Sequence, residues 1–186
     1  PFVFGIHSKF NDKRLPEKGW PFATKALASL IGGYAVSEPV KTAFVSLYDG
    51  LLPPSVSIET IHNGIDIARF KLDPTIRKNL RHHLGIAEEA FVVLFCGRLD
   101  ANKLPLFALR IFAEFVANHR QGRLLVVGDG PEMAALKTQI NALQMQDKVI
   151  LTGQIADPAP YYSASDCYLS TSVLEGYSLT TAEALA

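Results

Sequence analysis

The sequence predicts an α/β fold, a parallel sheet covered by helices, from three observations. From Phe91 onward short apolar runs alternate with segments of helical spacing. The runs are nearly all apolar, as strands buried on both faces must be. Loops bearing glycine, arginine or lysine follow their carboxyl ends, where ligands bind in open parallel sheets. Four strands are expected in this half: Phe91 to Cys96, Arg123 to Val127, Val149 to Thr152 and Cys167 to Ser170. Between them, Leu106, Leu109, Ala113 and Val116 keep helical spacing after Pro105, and Met133, Leu136, Ile140 and Leu143 do so after Pro131. Each proline suits a first-turn position, where its missing N–H costs nothing.

Before Phe91 the pattern is looser. It contains a strand from Phe2 to Ile6, a helix from Phe22 to Leu30, a short strand Tyr34 to Val36, a helix from Glu38 and a strand from Val56 to Ile61. Asn63-Gly64 marks a tight turn, and a basic helix starts at Pro74. The expected organisation is residues 1–68 as the tail of one domain, 69–90 as linker and entry helix, and 91–186 as a second, truncated domain. A start at Pro1 without methionine, and a stop at Ala186 in the first turns of a helix, read as a piece of a longer protein.

Composition excludes some classes. About half of the 186 residues are apolar and the formal net charge is zero, so neither wholesale nucleic-acid binding nor intrinsic disorder is indicated. No apolar run approaches the roughly 20 residues of a membrane span, so the chain reads as soluble and cytoplasmic. Cys96 and Cys167 fall in apolar runs and are expected as buried thiols without a disulfide. The basic cluster Arg77, Lys78, Arg81, His82 and His83 is read as a solvated helix face in preference to a contact with an anionic membrane. His82 and His83 are adjacent on a helix, diverge by about 100° and cannot easily share one metal ion.

The segment Leu174-Glu-Gly-Tyr-Ser-Leu-Thr-Thr-Ala-Glu183 places Glu175 and Glu183 around a strand-to-helix turn. Ionised carboxylates accept the hydrogen bonds that sugar hydroxyls donate, and the free N–H groups around Tyr177, Ser178 and Leu179 suit an anion. A sugar phosphate fits both demands. Thr180 with Glu183 also matches a capping box, which would explain Glu183 but not Glu175. A second constellation, Gly97-Arg-Leu-Asp-Ala-Asn-Lys103, puts two cations at a strand's carboxyl end. Arg98 and Lys103 there can clamp a diphosphate or simply be solvated. A third loop, Gly128-Asp-Gly-Pro131, superficially fits a dinucleotide fingerprint. Met133 stands where the third glycine belongs, so a tight turn leaving room for a ligand's base is preferred to an NAD-type site.

With these motifs the chain resembles the retaining, nucleotide-sugar-dependent glycosyltransferases of family 4 (group 1), which have the GT-B fold of two Rossmann-like domains. The resemblance rests on His7 in Gly-Ile-His-Ser, Ala35-Val-Ser-Glu38, His62-Asn-Gly-Ile-Asp66, Gly97-Arg-Leu, Lys103, Val127-Gly-Asp-Gly-Pro131 and the Glu175 to Glu183 segment. It implies that residues 1–68 are the end of the acceptor-side domain and 91–186 the donor domain. It also implies that Arg98 and Lys103 hold the donor diphosphate, Glu175 the transferred sugar and Glu183 the ribose hydroxyls. Amides from Gly176 through Tyr177 and Ser178 to Leu179 would complete the phosphate cradle, Gly128 would lie by the base, and His7 would face the sugar. Leu104, where the family often has glycine, and Tyr177-Ser178, where Phe-Gly is commoner, depart from the pattern.

The activity so implied is transfer of a sugar from a UDP- or GDP-sugar to a glycan or lipid-linked acceptor, with retention and without a metal or other cofactor. Neither an Asp-x-Asp motif nor a Cys/His cluster with ligand spacing is present. Peripheral membrane contact and a role in cell-envelope polysaccharide assembly are family-level expectations, and the piece alone is expected to be inactive. The alternative of another class is a nucleotide-sugar binding module without turnover.

Overall fold

The computed structural model describes residues 2–7 and 25–186. The chain divides into two compact units, Pro1–Gly64 with Leu174–Ser178, and Ile65–Val173 with Leu179–Ala186.

The first unit is built on a parallel sheet of strands β1 (Phe2–Ile6), β2 (Leu30–Ala35) and β3 (Ser57–Thr60), in that order. Helix α1 (Glu38–Leu47) makes the crossover from β2 to β3, and Pro39 sits in its first turn. Val40 and Phe44, four residues apart and so on one face of α1, are buried against Ile6, Ala35, Val36 and Ile58. β2 is longer than the expected Tyr34 to Val36. Gly32 and Gly33 pair with Ser57 and Ile58, and glycine's low strand propensity hides such a strand in sequence. The expected helix from Phe22 to Leu30 lies partly outside the described residues; residues 25–28 are helical, and Leu30 already opens β2.

The second unit is a three-layer α/β/α stack around four parallel strands in the order β6 (Val149–Gly153), β5 (Arg123–Val127), β4 (Val92–Cys96), β7 (Cys167–Tyr168). Alternation sorts the central strands between two cores. Val93, Phe95, Leu124 and Val126 face helices α4 (Pro105–Asn118) and α5 (Met133–Ala142), packing on Leu109, Phe112, Leu136 and Ile140. Val92, Leu94, Cys96, Leu125 and Val127 face the other way, toward Ile86, Ala90, Tyr162 and Tyr168. β4 is buried at every residue, which is why its sequence carries no alternation.

Short helices α2 (Ile67–Phe70) and α6 (Ala159–Ala164) were not expected, and α3 (Pro74–His83) begins at the expected proline. Asp73 caps α3, its Oδ1 accepting the Thr75 and Ile76 N–H groups at 2.8 and 3.0 Å.

The basic cluster is not one solvated face. Arg81 is 4% exposed. Its Nε donates to the Ala164 carbonyl at 2.8 Å, its Nη1 to the Glu88 and Ala90 carbonyls, and its Nη2 to Asp166 Oδ2 at 2.6 Å. Arg77 donates to the Ser163 and Ser165 carbonyls and to Asp166 Oδ1. Only Lys78, His82 and His83 of the cluster remain exposed. Asp166 Oδ2 also accepts the Val92 N–H at 2.7 Å, so one carboxylate ties α3, the start of β4 and the entry to β7.

The expectation of two buried thiols holds for Cys96 and fails for Cys167, which is exposed. β7 is two residues long, and among the described residues it pairs with β4 alone, so no strand of these residues covers Cys167. Both cysteines are free.

Burial by itself would raise the Asp166 pKa. The Val92 N–H and the Arg77 and Arg81 guanidinium groups outweigh it and hold the carboxyl below its usual value. A lowered folded-state pKa contributes stability that is present above the unfolded value of about 4 and lost as pH falls through the folded value. Asp166→Ala is expected to cost about 3 kcal/mol at neutral pH, because Arg81 is left as a buried, unpaired charge. In urea titrations the gap between parent and variant should narrow below about pH 4; a gap independent of pH would contradict this ion network.

Candidate functional site

In the second unit, the loop leaving β4 carries the two cations. Asp100 folds it as an Asx turn, its Oδ1 accepting the Asn102 and Lys103 N–H groups at 3.1 and 3.0 Å. Arg98 lies in the open, its side chain 71% exposed and its Nε 3.5 Å from Asp100 Oδ2. Lys103 is half-buried. Its Cε lies 3.7 Å from where a Cβ on Gly97 would stand, so the lysine stem runs over the glycine. Thr171 Oγ1 donates to the Lys103 carbonyl at 2.6 Å, and the Val173 N–H to the Asn102 carbonyl at 2.8 Å. The segment after β7 thus fixes the lysine's backbone.

The backbone at Leu104 shows why glycine suits this position in the family pattern. It has φ 49° and ψ 57°, the left-handed region that glycine occupies without cost. The chain must turn there to let Pro105 open α4.

The loop after β5 is pressed against the loop after β4. A Cβ on Gly128 would stand 1.9 Å from the Gly97 carbonyl oxygen, and one on Gly130 would stand 2.4 Å from that of Leu99. The Gly97 N–H donates to the Val127 carbonyl, and the Leu99 N–H to that of Asp129. Gly128 therefore has a packing reason to be glycine, and it also lines a cleft of about 300 Å³ with Gly97, Arg98, Asp129, Gln154 and Ile155.

Glu183 lies on α7 (Leu179–Leu185), where Thr180 is already inside the helix, so the two do not occupy the N-cap and N3 positions of a capping box. Its Oε2 accepts the Tyr162 hydroxyl at 2.8 Å. Glu183 lines a cavity of about 220 Å³ with Phe70, Tyr162, Asp166 and Tyr168. The Cys96 thiol, whose pKa is raised by burial, senses both the Glu183 carboxylate and the Lys103 ammonium. Tyr162 had no signal in the sequence, because nothing in Pro160-Tyr-Tyr162 separates a core tyrosine from one bonded to a carboxylate.

In the first unit, His7 follows β1 and is exposed, its ring edge-on to Tyr34 at 5.8 Å and its Nε2 3.4 Å from the Tyr34 hydroxyl. A Cβ on Gly5 would stand 2.7 Å from the far end of that tyrosine's ring, so a side chain there would displace the ring. The Gly176 carbonyl accepts the Ser37 hydroxyl at 2.6 Å. Tyr177 stacks on His62 at 5.6 Å, and the Nδ1 of His62 donates to the Val36 carbonyl at 3.0 Å. These contacts hold the Gly176–Tyr177 turn, and Glu175 and Ser178 beside it are half-buried.

A parallel sheet covered by helices, with a cation-bearing loop at the carboxyl end of β4, is an α/β fold of Rossmann-like type. The profile of the family described as glycosyl transferases group 1 matches residues 76–186. The chain belongs to that family, and its fold is of the GT-B type.

Among its relatives is the alpha-monoglucosyldiacylglycerol synthase of Streptococcus pneumoniae, 35% identical over 162 residues, or 77% of this chain and 36% of that protein. Another is the N-acetyl-alpha-D-glucosaminyl L-malate synthase of Bacillus anthracis, 30% identical over 137 residues, covering 73% of this chain and 35% of that protein. The Anabaena protein Alr3699/HepE, crystallised with UDP, superposes with a TM-score of 0.85 at 26% identity over 100% of this chain and 50% of its own. The chain spans half or less of the length of each of these proteins.

Leu104→Gly is expected to leave stability within about 1 kcal/mol of the parent, relief of the left-handed strain offsetting the lost side chain. Leu104→Val, which adds a β-branch at positive φ, should lose about 1–2 kcal/mol. Thermal melts of both variants decide this, and the reverse order would contradict the strain.

Proposed function

We propose that the intact protein transfers a sugar from a UDP-sugar to a glycan or lipid-linked acceptor, with retention of anomeric configuration and without a metal ion. The observation that carries the reading is the cationic loop at the carboxyl end of β4, which Asp100 and Thr171 hold in place. UDP is preferred to GDP because the Anabaena relative was crystallised with UDP and with UDP-glucose. The names of the pneumococcal and Bacillus anthracis relatives support a small or lipid-linked acceptor, and retention rests on the family resemblance.

In this reaction the anomeric C–O bond breaks and its electron pair leaves with the phosphate oxygen. Positive charge develops on the sugar, the acceptor oxygen bonds to the anomeric carbon, and the acceptor's proton is released. Arg98 and Lys103 are proposed to hold the diphosphate and stabilise the charge of the leaving group. Each such fixed donor is worth about 3 to 4 kcal/mol in comparable sites. These two side-chain cations are proposed to do the work that a divalent ion does elsewhere, which is the ground for expecting no metal. Glu183 is proposed to accept the ribose hydroxyls, Glu175 those of the transferred sugar, with His7 beside it. Gly128 is assigned to the base, and the amides of Gly176, Tyr177, Ser178 and Leu179 to the phosphate. Among the described residues no helix is long and apolar enough to cross a membrane; a peripheral membrane contact is proposed on the family resemblance alone.

The test is turnover by the intact protein with UDP-glucose and UDP-N-acetylglucosamine, with the product's anomeric configuration read by NMR. Arg98→Ala and Lys103→Ala should each lower kcat by about 10²- to 10³-fold, and EDTA should leave the rate unchanged. An inverted product, a rate restored only by added Mg²⁺, or unaffected variants would overturn the corresponding part. Nucleotide binding without turnover for any donor would favour a binding module.

A further inference from the structure

Tyr162 does more than fill the core. Its ring is fixed on two sides, edge-on to Phe70 at 5.5 Å and tilted against Tyr168 at 6.1 Å. Its backbone sits in α6, whose end at Ser163 and Ala164 is gripped by Arg77 and Arg81. A phenylalanine would satisfy all of that packing, so the hydroxyl needs a separate account. Its neighbours are Glu183 Oε2 at 2.8 Å, the Thr180 carbonyl at 3.2 Å and the Cys96 sulfur, a weaker hydrogen-bonding group. One O–H serves one strong bond, and the shorter contact to a carboxylate takes it.

We infer that Tyr162 is a positioning residue for nucleotide binding: its hydroxyl occupies Glu183 Oε2, fixes the plane of the carboxylate and turns Oε1 toward the ligand's ribose hydroxyls. The inference rests on the proposed role of Glu183 as the ribose contact. Three features support it. The tyrosine has only two side-chain torsions, and both are locked by aromatic neighbours, so it holds the carboxylate with little entropic cost. Tyr168 Oη donates to Thr180 Oγ1 at 2.7 Å, bracing the same helix one turn away. Burial, with the Glu183 carboxylate alongside, pushes the phenol above the ordinary tyrosine pKa, so it stays a donor throughout the working pH range.

A carboxylate already bonded on one oxygen needs less ordering when the ribose arrives, and removing that bond should weaken recognition of the ribose alone. The experiment titrates UDP and its 2′,3′-dideoxy analogue into the intact protein and into Tyr162→Phe, Glu183→Ala and the double variant, with melting temperatures measured for all. We expect Tyr162→Phe to weaken UDP by about tenfold, corresponding to one charge-assisted hydrogen bond. It should leave the dideoxy analogue unchanged and add nothing in the Glu183→Ala background.

If Glu183→Ala weakens UDP but Tyr162→Phe does not, the positioning role is overturned while the ribose role of Glu183 stands. Equal losses for UDP and the dideoxy analogue, or the same loss without Glu183, mean that Tyr162 acts through the fold, which also overturns it. If Glu183→Ala binds UDP like the parent, the ribose role and the positioning role fail together.

Discussion

A single carboxylate, Asp166, holds the second unit together at the amino end of its sheet. It accepts from Arg81, Arg77 and the first N–H of β4, while the two arginines reach the carbonyls that end α6 and those that precede β4. A buried guanidinium is costly unless every donor finds a partner, so this network forces α3, α6, β4 and β7 into one arrangement. β4 delivers Gly97, Arg98 and Lys103 at its carboxyl end, and α6 carries Tyr162 to Glu183.

At the carboxyl rim the governing constraint is steric. The loops after β4 and β5 touch through Gly97 and Gly128, at a separation that admits no side chain. That contact, with the Asx turn at Asp100 and the bond from Thr171 to the Lys103 carbonyl, sets where the two cations emerge. What folding fixes here is the backbone that carries them, while the Arg98 side chain itself remains exposed; in the proposed reaction a held backbone reduces what must be ordered around a departing phosphate. Leu104 in a left-handed conformation is the local strain that the arrangement retains.

The parallel sheet was legible because its strands are short, apolar and separated by proline-started helices, and the structure keeps β5 at the residues expected from the sequence. The cationic loop stood out by its place at a strand's carboxyl end, and Glu175 as a charge beside Gly176 at the end of an apolar run. What could not be read were contacts between segments distant in sequence. Arg81 looks like any helix-surface cation until Asp166, 85 residues later, is folded against it. Tyr162 looks like core, and Cys167 like a buried thiol, because local pattern does not show that β7 stops after two residues. β2 was underread because its two glycines have no strand preference of their own.

The account's central claim is that the β4 loop cations and Glu183 serve one nucleotide-sugar. A crystal structure of the intact protein with UDP bound tests it most directly. The claim predicts the diphosphate within hydrogen-bond reach of Arg98 and Lys103 and the ribose hydroxyls on Glu183. A nucleotide bound elsewhere, or one whose ribose leaves Glu183 bonded only to Tyr162, would contradict it.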